Sequence, residues 1–523
     1  MEITDNQCAP NPARNEQAGS RDYSYYSTLD NTHDDPQDKA RTLTMDIRSK
    51  VMSALRWSAA ARFLGQAVSW AITIMVIRLL APGDYGLMAM AMVLVSFLVL
   101  LNTLGLDAVL VQVHDLDEQM RRQIFGVIIV VNTIFCALLF FGAPAISGFY
   151  GEPALKPIVQ VLSVQFLLLI FETLPQSRLE REMDFAQRSI VDFTTLIIGS
   201  LTTLTLALAG LGVWALIWGT LVTNATRMLG LNLISRSLVW PSFSLRGMRK
   251  HLSFGGFVTT DRGLWYLFSE SDKFIGGKVL GNHLLGYYAV ASQLASLPIH
   301  KISGILNSVA FPAFSHAHAH TSAETLQGYL LKATRVLGMA AFPVFFGISC
   351  TAEPIIASLL GEKWLPAAPL LQLLGVVMPF RLLSNIFPPL LWGVGHPGTS
   401  ASNFLIAAVL MPVAFYIGTR WGVAGLAYAW LCMYPVVFII TALRTCRVVG
   451  VGIAHYFAQL LRPVAAGMIM YATVYFLRGA VYGSPGEWLY LLQLVAAGVV
   501  AYGVAIFLID RDGVRETLEL IRR

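Results

Sequence analysis

The stretch LAPGDYGLMAMA (Leu80–Ala91) returns two hundred residues later as LGNHLLGYYAVA (Leu280–Ala291). Leucine, glycine and two alanines keep their places: Leu80 with Leu280, Gly86 with Gly286, Ala89 with Ala289, Ala91 with Ala291. Arg78 falls on Lys278 and Arg62 on Arg262 in the same register. A second register, offset by 210, aligns Gly151-Glu152 with Gly361-Glu362 and Gly212-Val213 with Gly422-Val423, and Leu216 with Leu426. A period of this length spans about six helices, so the chain reads as two parallel six-helix repeats.

Composition says what the halves are made of. Of 523 residues, 55% are hydrophobic and 13% charged. A soluble chain carries about a quarter charged residues. A membrane helix needs roughly 20 mostly apolar residues. Continuous apolar runs point to helices at about 52–80, 85–108, 123–147, 155–176, 189–209, 212–235, 251–276, 284–314, 330–352, 365–391, 399–419, 422–444, 458–478 and 488–509, fourteen in all. The runs do not alternate, which excludes a barrel, and each backbone must satisfy itself within lipid. The fold class is an all-α integral membrane protein of fourteen transmembrane helices, with two pseudo-symmetric six-helix lobes and two extra helices.

The segments follow. Residues 1–45, polar and acidic, read as a disordered cytoplasmic tail with no apolar core of a signal peptide. Residues 46–240 form the first lobe (helices 1–6), 241–448 the second (helices 7–12), and 449–523 helices 13 and 14 with a cytoplasmic C-terminus. Of 37 Lys and Arg, 26 fall on the side of the termini, 7 on the other and 4 within spans. That bias places both termini in the cytoplasm. It also accounts for the net charge of +6 without nucleic acid.

Basic residues inside spans carry the site. Arg62, Arg262, Lys301 and Arg381 each cost about 2.5–3.5 kcal/mol at a bilayer centre, so they need a partner or a wet cavity. Together they read as a cationic cleft for an anionic headgroup, Arg as a bidentate fork and Lys as a point charge. Arg62 also has a second reading, as a side chain snorkelling to the cytoplasmic interface. Helix 7 adds Asp261, Glu270 and Asp272. Asp261 and Asp272 are eleven residues apart, about three turns, which puts both on one face toward the cleft. These carboxylates would couple transport to H+ or Na+, or balance the arginines.

Other signals are negative. Five scattered cysteines lack metal or disulfide spacing. The alternating His316, His318 and His320 fall in a predicted cytoplasmic loop, as a solvated tract with no metal. There is no phosphate-binding Gly-rich loop, nucleophile elbow or zinc helix, so no cofactor is expected and no enzyme chemistry.

Arg56-Trp57-Ser58-Ala59 with Leu79–Gly86, Leu252–Phe257, Ala310–Phe314 and Gly361–Trp364 resembles the polysaccharide-transport (Wzx-like) flippases of the MOP superfamily. Similarity is strongest to the colanic acid and xanthan exopolysaccharide branch, over about residues 50–510. The resemblance implies a bacterial inner-membrane translocase. It would move undecaprenyl-diphosphate-linked oligosaccharide repeat units across the bilayer by alternating access, among membrane lipids and beside a polymerase and export machinery. No site residue transfers by motif. Two alternatives stand beside it: a membrane glycan polymerase or ligase, for which the outer loops are short, and an exporter of lipid II or drugs from the same superfamily.

Overall fold

The computed structural model describes residues 65–66, 68–107, 110, 117–182, 184–235, 237, 239–320, 323–480, 487–511 and 513–515. For 185, 249–255, 257–258, 300–301, 303–320 and 323–325 it describes the backbone alone. The tail and Arg62 lie outside the described residues. The helices belong to one compact unit, Ala61–Arg523.

Among the described residues every regular element is a helix. In order they are α1 (Val68–Leu79), α2 (Pro82–Leu101), α3 (Glu118–Tyr150), α4 (Leu155–Ser163), α5 (Gln165–Ile170), α6 (Thr173–Arg181), α7 (Phe185–Leu208) and α8 (Val213–Ser235). Then come α9 (Arg249–His320), α10 (Ala323–Cys350), α11 (Ala352–Leu360), α12 (Ala368–Ser384) and α13 (Phe387–Gly393). The last are α14 (Pro397–Gly418), α15 (Gly422–Val449), α16 (Ile453–Ala480) and α17 (Glu487–Ile509).

Among the described residues, eight helical stretches are long and apolar enough to cross a membrane, or nine if the pair Leu155–Ile170 and Thr173–Arg181, bent by 45°, is one span. That number does not reach the fourteen predicted: α1, as a shorter helix, and α8 fall outside it, and two longer stretches hold more than one crossing. The stretch Pro397–Val449 counts once, yet it folds back between α14 and α15, where Gly418 and Gly425 meet backbone to backbone. The 72 residues of α9 are broken at Gly281, whose φ of 78° suits only a residue without Cβ. Leu285 then lies against Gly276 and Gly277, so the chain reverses there. The histidine tract is corrected: the backbone stays helical to His320, so these residues end a helix and do not form a loop.

Large apolar side chains such as Phe141, Phe476 and Leu461 are 79%, 77% and 70% exposed. Such a surface fits hydrocarbon and not water. The protein is a multi-pass helical membrane protein.

The opening repeat builds the tightest crossing. A Cβ on Gly86 would sit 1.7 Å from the Asn282 carbonyl oxygen, and one on Gly286 would sit 1.8 Å from that of Pro82. Each strand of the repeat therefore presses its glycine onto the first turn of the other. The glycines of the second register, Gly151, Gly212, Gly361 and Gly422, all have positive φ. At the same end, Trp364 Nε1 donates to the Ile77 carbonyl (2.9 Å) and Lys363 Nζ to those of Leu80 (2.8 Å) and Arg78. These donors satisfy the last carbonyls of α1, which its own helix leaves free.

Candidate functional site

Two cavities adjoin along the first half of α9. The first, of about 650 Å³, lies among α1, α2, α7, α8 and α9. The second, of about 780 Å³, lies among α9, α12, α13, α14 and α15. Glu270, Lys273 and Ser296 line both, so the two spaces meet at these side chains. Lys273 Nζ donates to Glu270 Oε2 at 2.6 Å, an i,i+3 pair on one helix.

The second cavity is the cationic one. Arg381 comes from α12 and lines it. Its guanidinium lies 4.3 Å from the centre of the Trp430 ring, and its Nη2 donates to Ser269 Oγ at 3.2 Å. The ring face holds the plane of the fork and leaves its remaining N–H edge for a ligand. Trp430 is held in turn. Its Nε1 donates to Asp272 Oδ2 (3.0 Å) and to the Tyr288 hydroxyl (2.9 Å), and Tyr288 donates to the same Asp272 oxygen (2.5 Å). Asp272 Oδ1 accepts from the Lys273 amide at 2.7 Å.

Asp272 is therefore corrected. It is 1% exposed and belongs to a buried tyrosine–tryptophan network, not to the lining of either cavity. Asp261 does line the second cavity, and its Oδ1 has no hydrogen-bond partner among the described residues. Glu270 lines both cavities with its charge matched by Lys273.

Arg262 also lines the second cavity but is not free there. Its two terminal nitrogens reach Asp107 Oδ2 at 3.2 Å each, with a third contact to Oδ1 at 3.4 Å. Thr103 Oγ1 steadies that carboxylate from one turn back (2.9 Å). One turn on from Arg262, the Tyr266 hydroxyl donates to the Val93 carbonyl at 2.8 Å. The first half of α9 is thus tied to the α2 segment at two heights. Lys301 has helical backbone, and its side chain is not described; Arg62 is outside the described residues.

Sequence reasoning missed Lys273, Asp107 and Trp430. The signal for Lys273 is its spacing from Glu270, which marks an intrahelical pair. Asp107 was the lone acid at the end of the second predicted helix, a span that otherwise ran apolar from Tyr85. Trp430 gave no signal.

A bundle of membrane helices with two adjoining cavities, apolar for the most part and carrying a few charged groups, is the architecture of a transport protein. The family described as "Polysaccharide biosynthesis protein" matches residues 75–369, and the chain belongs to it. Among its relatives is "Teichuronic acid biosynthesis protein TuaB" of Bacillus subtilis, 25% identical over 75% of this chain and 84% of that one. "Succinoglycan biosynthesis transport protein ExoT" of Rhizobium meliloti is 26% identical over 93% and 97%. "Lipopolysaccharide biosynthesis protein WzxC" of Escherichia coli is 24% identical over 80% and 86%. The fold is similar to "Lipid II flippase MurJ, inward closed conformation", at TM-score 0.65 and 14% identity over 87% of this chain and 99% of that one. It is also similar to an inward-facing MATE-family multidrug transporter of the MOP superfamily, at TM-score 0.58 and 17% identity over 73% and 93%.

Proposed function

We propose that the protein is a flippase for undecaprenyl-diphosphate-linked oligosaccharides, working in a bacterial inner membrane with both termini cytoplasmic. The observation that carries the reading is the Arg381 fork, braced on Trp430 and open to a cavity of about 780 Å³ inside an apolar bundle. A diphosphate cannot enter hydrocarbon bare, and a charge-assisted fork replaces its water. The Glu270–Lys273 pair beside it carries no net charge, and the aromatic lining offers the first isoprene units an apolar wall. The saccharides cross inside the protein while the lipid tail stays in the bilayer.

The paired glycine crossing and the positive-φ corner glycines support two pseudo-symmetric six-helix lobes, 46–240 and 241–448, within a fourteen-helix chain. Such lobes rock about a central site and expose it to one side at a time. Charge bias assigns the Gly86–Gly286 end to the outer face. Asp261, with an unpartnered oxygen at the cavity wall, is the carboxylate best placed to carry a coupling proton or sodium ion. A polymerase and an export machine would take the product on the outer side.

The test is Arg381→Gln in a strain lacking the native gene. One charged hydrogen-bonding group at the diphosphate is worth about 1.5–3 kcal/mol, so surface polymer should fall on the order of 10- to 100-fold. Lipid-linked oligosaccharide should accumulate in the inner leaflet, with membrane levels of the protein unchanged. Normal polymer from a well-expressed variant would refute the reading.

A further inference from the structure

The first cavity has a chemistry of its own. Its wall carries hydroxyls from three helices: Thr73 on α1, Thr203 on α7, and Thr220 and Thr223 on α8. Each donates its proton to the carbonyl four residues back, at Ser69 (2.8 Å), Gly199 (2.9 Å), Leu216 (2.9 Å) and Gly219 (2.7 Å). Ser296 does the same to Ser292 at 2.6 Å. A hydroxyl has one proton and two lone pairs. With the protons committed to helix carbonyls, these oxygens can only accept; those of Thr203 and Thr223 lie against Gly219 and Gly199 of the facing helix, which leaves Thr73, Thr220 and Ser296 as the acceptors for the cavity. The cation among the described lining residues, Lys273, is matched by Glu270. Tyr85 and Tyr266 add aromatic surface, and Ser96, Ser200 and Gln293 complete the polar lining, Gln293 with an amide that both donates and accepts.

Such a wall suits neither of the other parts of a lipid-linked saccharide. A phosphate or carboxylate brings acceptors to acceptors. A hydrocarbon strips water from the oxygens and replaces none of their bonds. A neutral, donor-rich ligand satisfies them.

We infer that this cavity is the saccharide subsite, taking neutral sugar hydroxyls as donors and discriminating against acidic sugars. The inference rests on the flippase reading and divides its substrate: diphosphate in the second cavity, neutral hexose in the first, with the Glu270–Lys273 pair between them. The volume, about 650 Å³, lies within the ordinary range for small-molecule sites.

The experiment measures binding to the purified full-length protein in lipid nanodiscs. Three probes are used: undecaprenyl diphosphate, the same lipid bearing a neutral glucosyl-galactose disaccharide, and its counterpart with a terminal glucuronate. The neutral disaccharide should tighten binding on the order of tenfold over the bare lipid, and the glucuronate should not. The double variant Thr73→Val, Thr220→Val should lose that gain while binding the bare lipid as before. Thr73→Ser, Thr220→Ser, which keeps both oxygens, should retain it, and this separates lost acceptors from a damaged fold. A gain that survives the valine variant, or a glucuronate lipid that binds as tightly as the neutral one, overturns the inference alone. Failure of the wild type to bind undecaprenyl diphosphate at all overturns the flippase reading and this inference with it.

Discussion

Asp261 and Asp272 share a face of one helix, yet one opens on a cavity and the other is sealed. Spacing fixes the azimuth of a side chain around its helix, and the eleven-residue step was legible as such. It does not fix what covers that face about 16 Å further along the axis. There the reversal at Gly281 brings Tyr288 back over Asp272, and α15 supplies Trp430, contacts that no local pattern encodes. The two carboxylates should therefore fail differently. Asp272→Ala leaves the buried Tyr288 hydroxyl without its acceptor and takes from the Trp430 indole N–H one of its two. It should cost on the order of 3 kcal/mol, read as a marked fall in melting temperature in detergent. Asp261→Asn removes a charge from a cavity wall and should leave melting within about 0.5 kcal/mol of wild type. If Asp261 carries the coupling ion, transport by that variant in proteoliposomes should lose its dependence on a proton or sodium gradient.

At the level of elements, most helix positions were readable because apolar runs in a membrane protein are long and their breaks carry Gly, Pro and charge. The α9 break and the α14–α15 reversal both fall where the predicted loops did, near 277–283 and 420–421. Packing was not readable to the same degree. The sequence pointed to Gly86 and Gly286 as matched positions, but not that each lies on the other's repeat. Because the atoms met are backbone carbonyls, Gly86→Ala or Gly286→Ala must move a helix, not a side chain. Either variant should loosen that end of the bundle. A cysteine at Ser296, in a cysteine-free background, should then react several-fold faster with an impermeant thiol reagent added from outside.

A second tie joins α10, α16 and the end of α17. Asp510, just beyond the last apolar span and buried, accepts from Arg335 Nε and Arg462 Nη1 at 2.9 Å each. Burial alone would raise its pKa, but the two arginines outweigh that and hold the carboxyl below its usual range. A depressed folded pKa stabilises above the ordinary carboxylate value, about 3.9, and the stabilisation is lost as pH falls through the folded value. Melting temperature should thus drop on acidification below about pH 4, and Asp510→Asn should be lower at neutral pH and flatter across that window.

For the whole molecule, the question is what holds the two proposed lobes together without locking them. The charge pattern of the sequence makes Arg262 a ligand for the substrate; its bidentate pairing with Asp107, 155 residues away, makes it first a link between the proposed lobes. Both side chains are about a third exposed, 36% and 35%, so water screens the pair. Partners of this kind are worth on the order of 1 kcal/mol, which shifts a two-state balance about fivefold. That is enough to favour one state and too little to prevent the other, as the proposed rocking of the lobes requires. Asp107→Arg and Arg262→Asp should each lower polymer output, since each sets like charges together. If the pair is a link, the double swap should recover most of the output, because the bridge re-forms with its polarity reversed. If Arg262 serves the diphosphate directly, the swap puts a carboxylate at the cavity wall and output stays low. Recovery in the double variant, measured as surface polymer per unit of membrane-inserted protein, is the expected result.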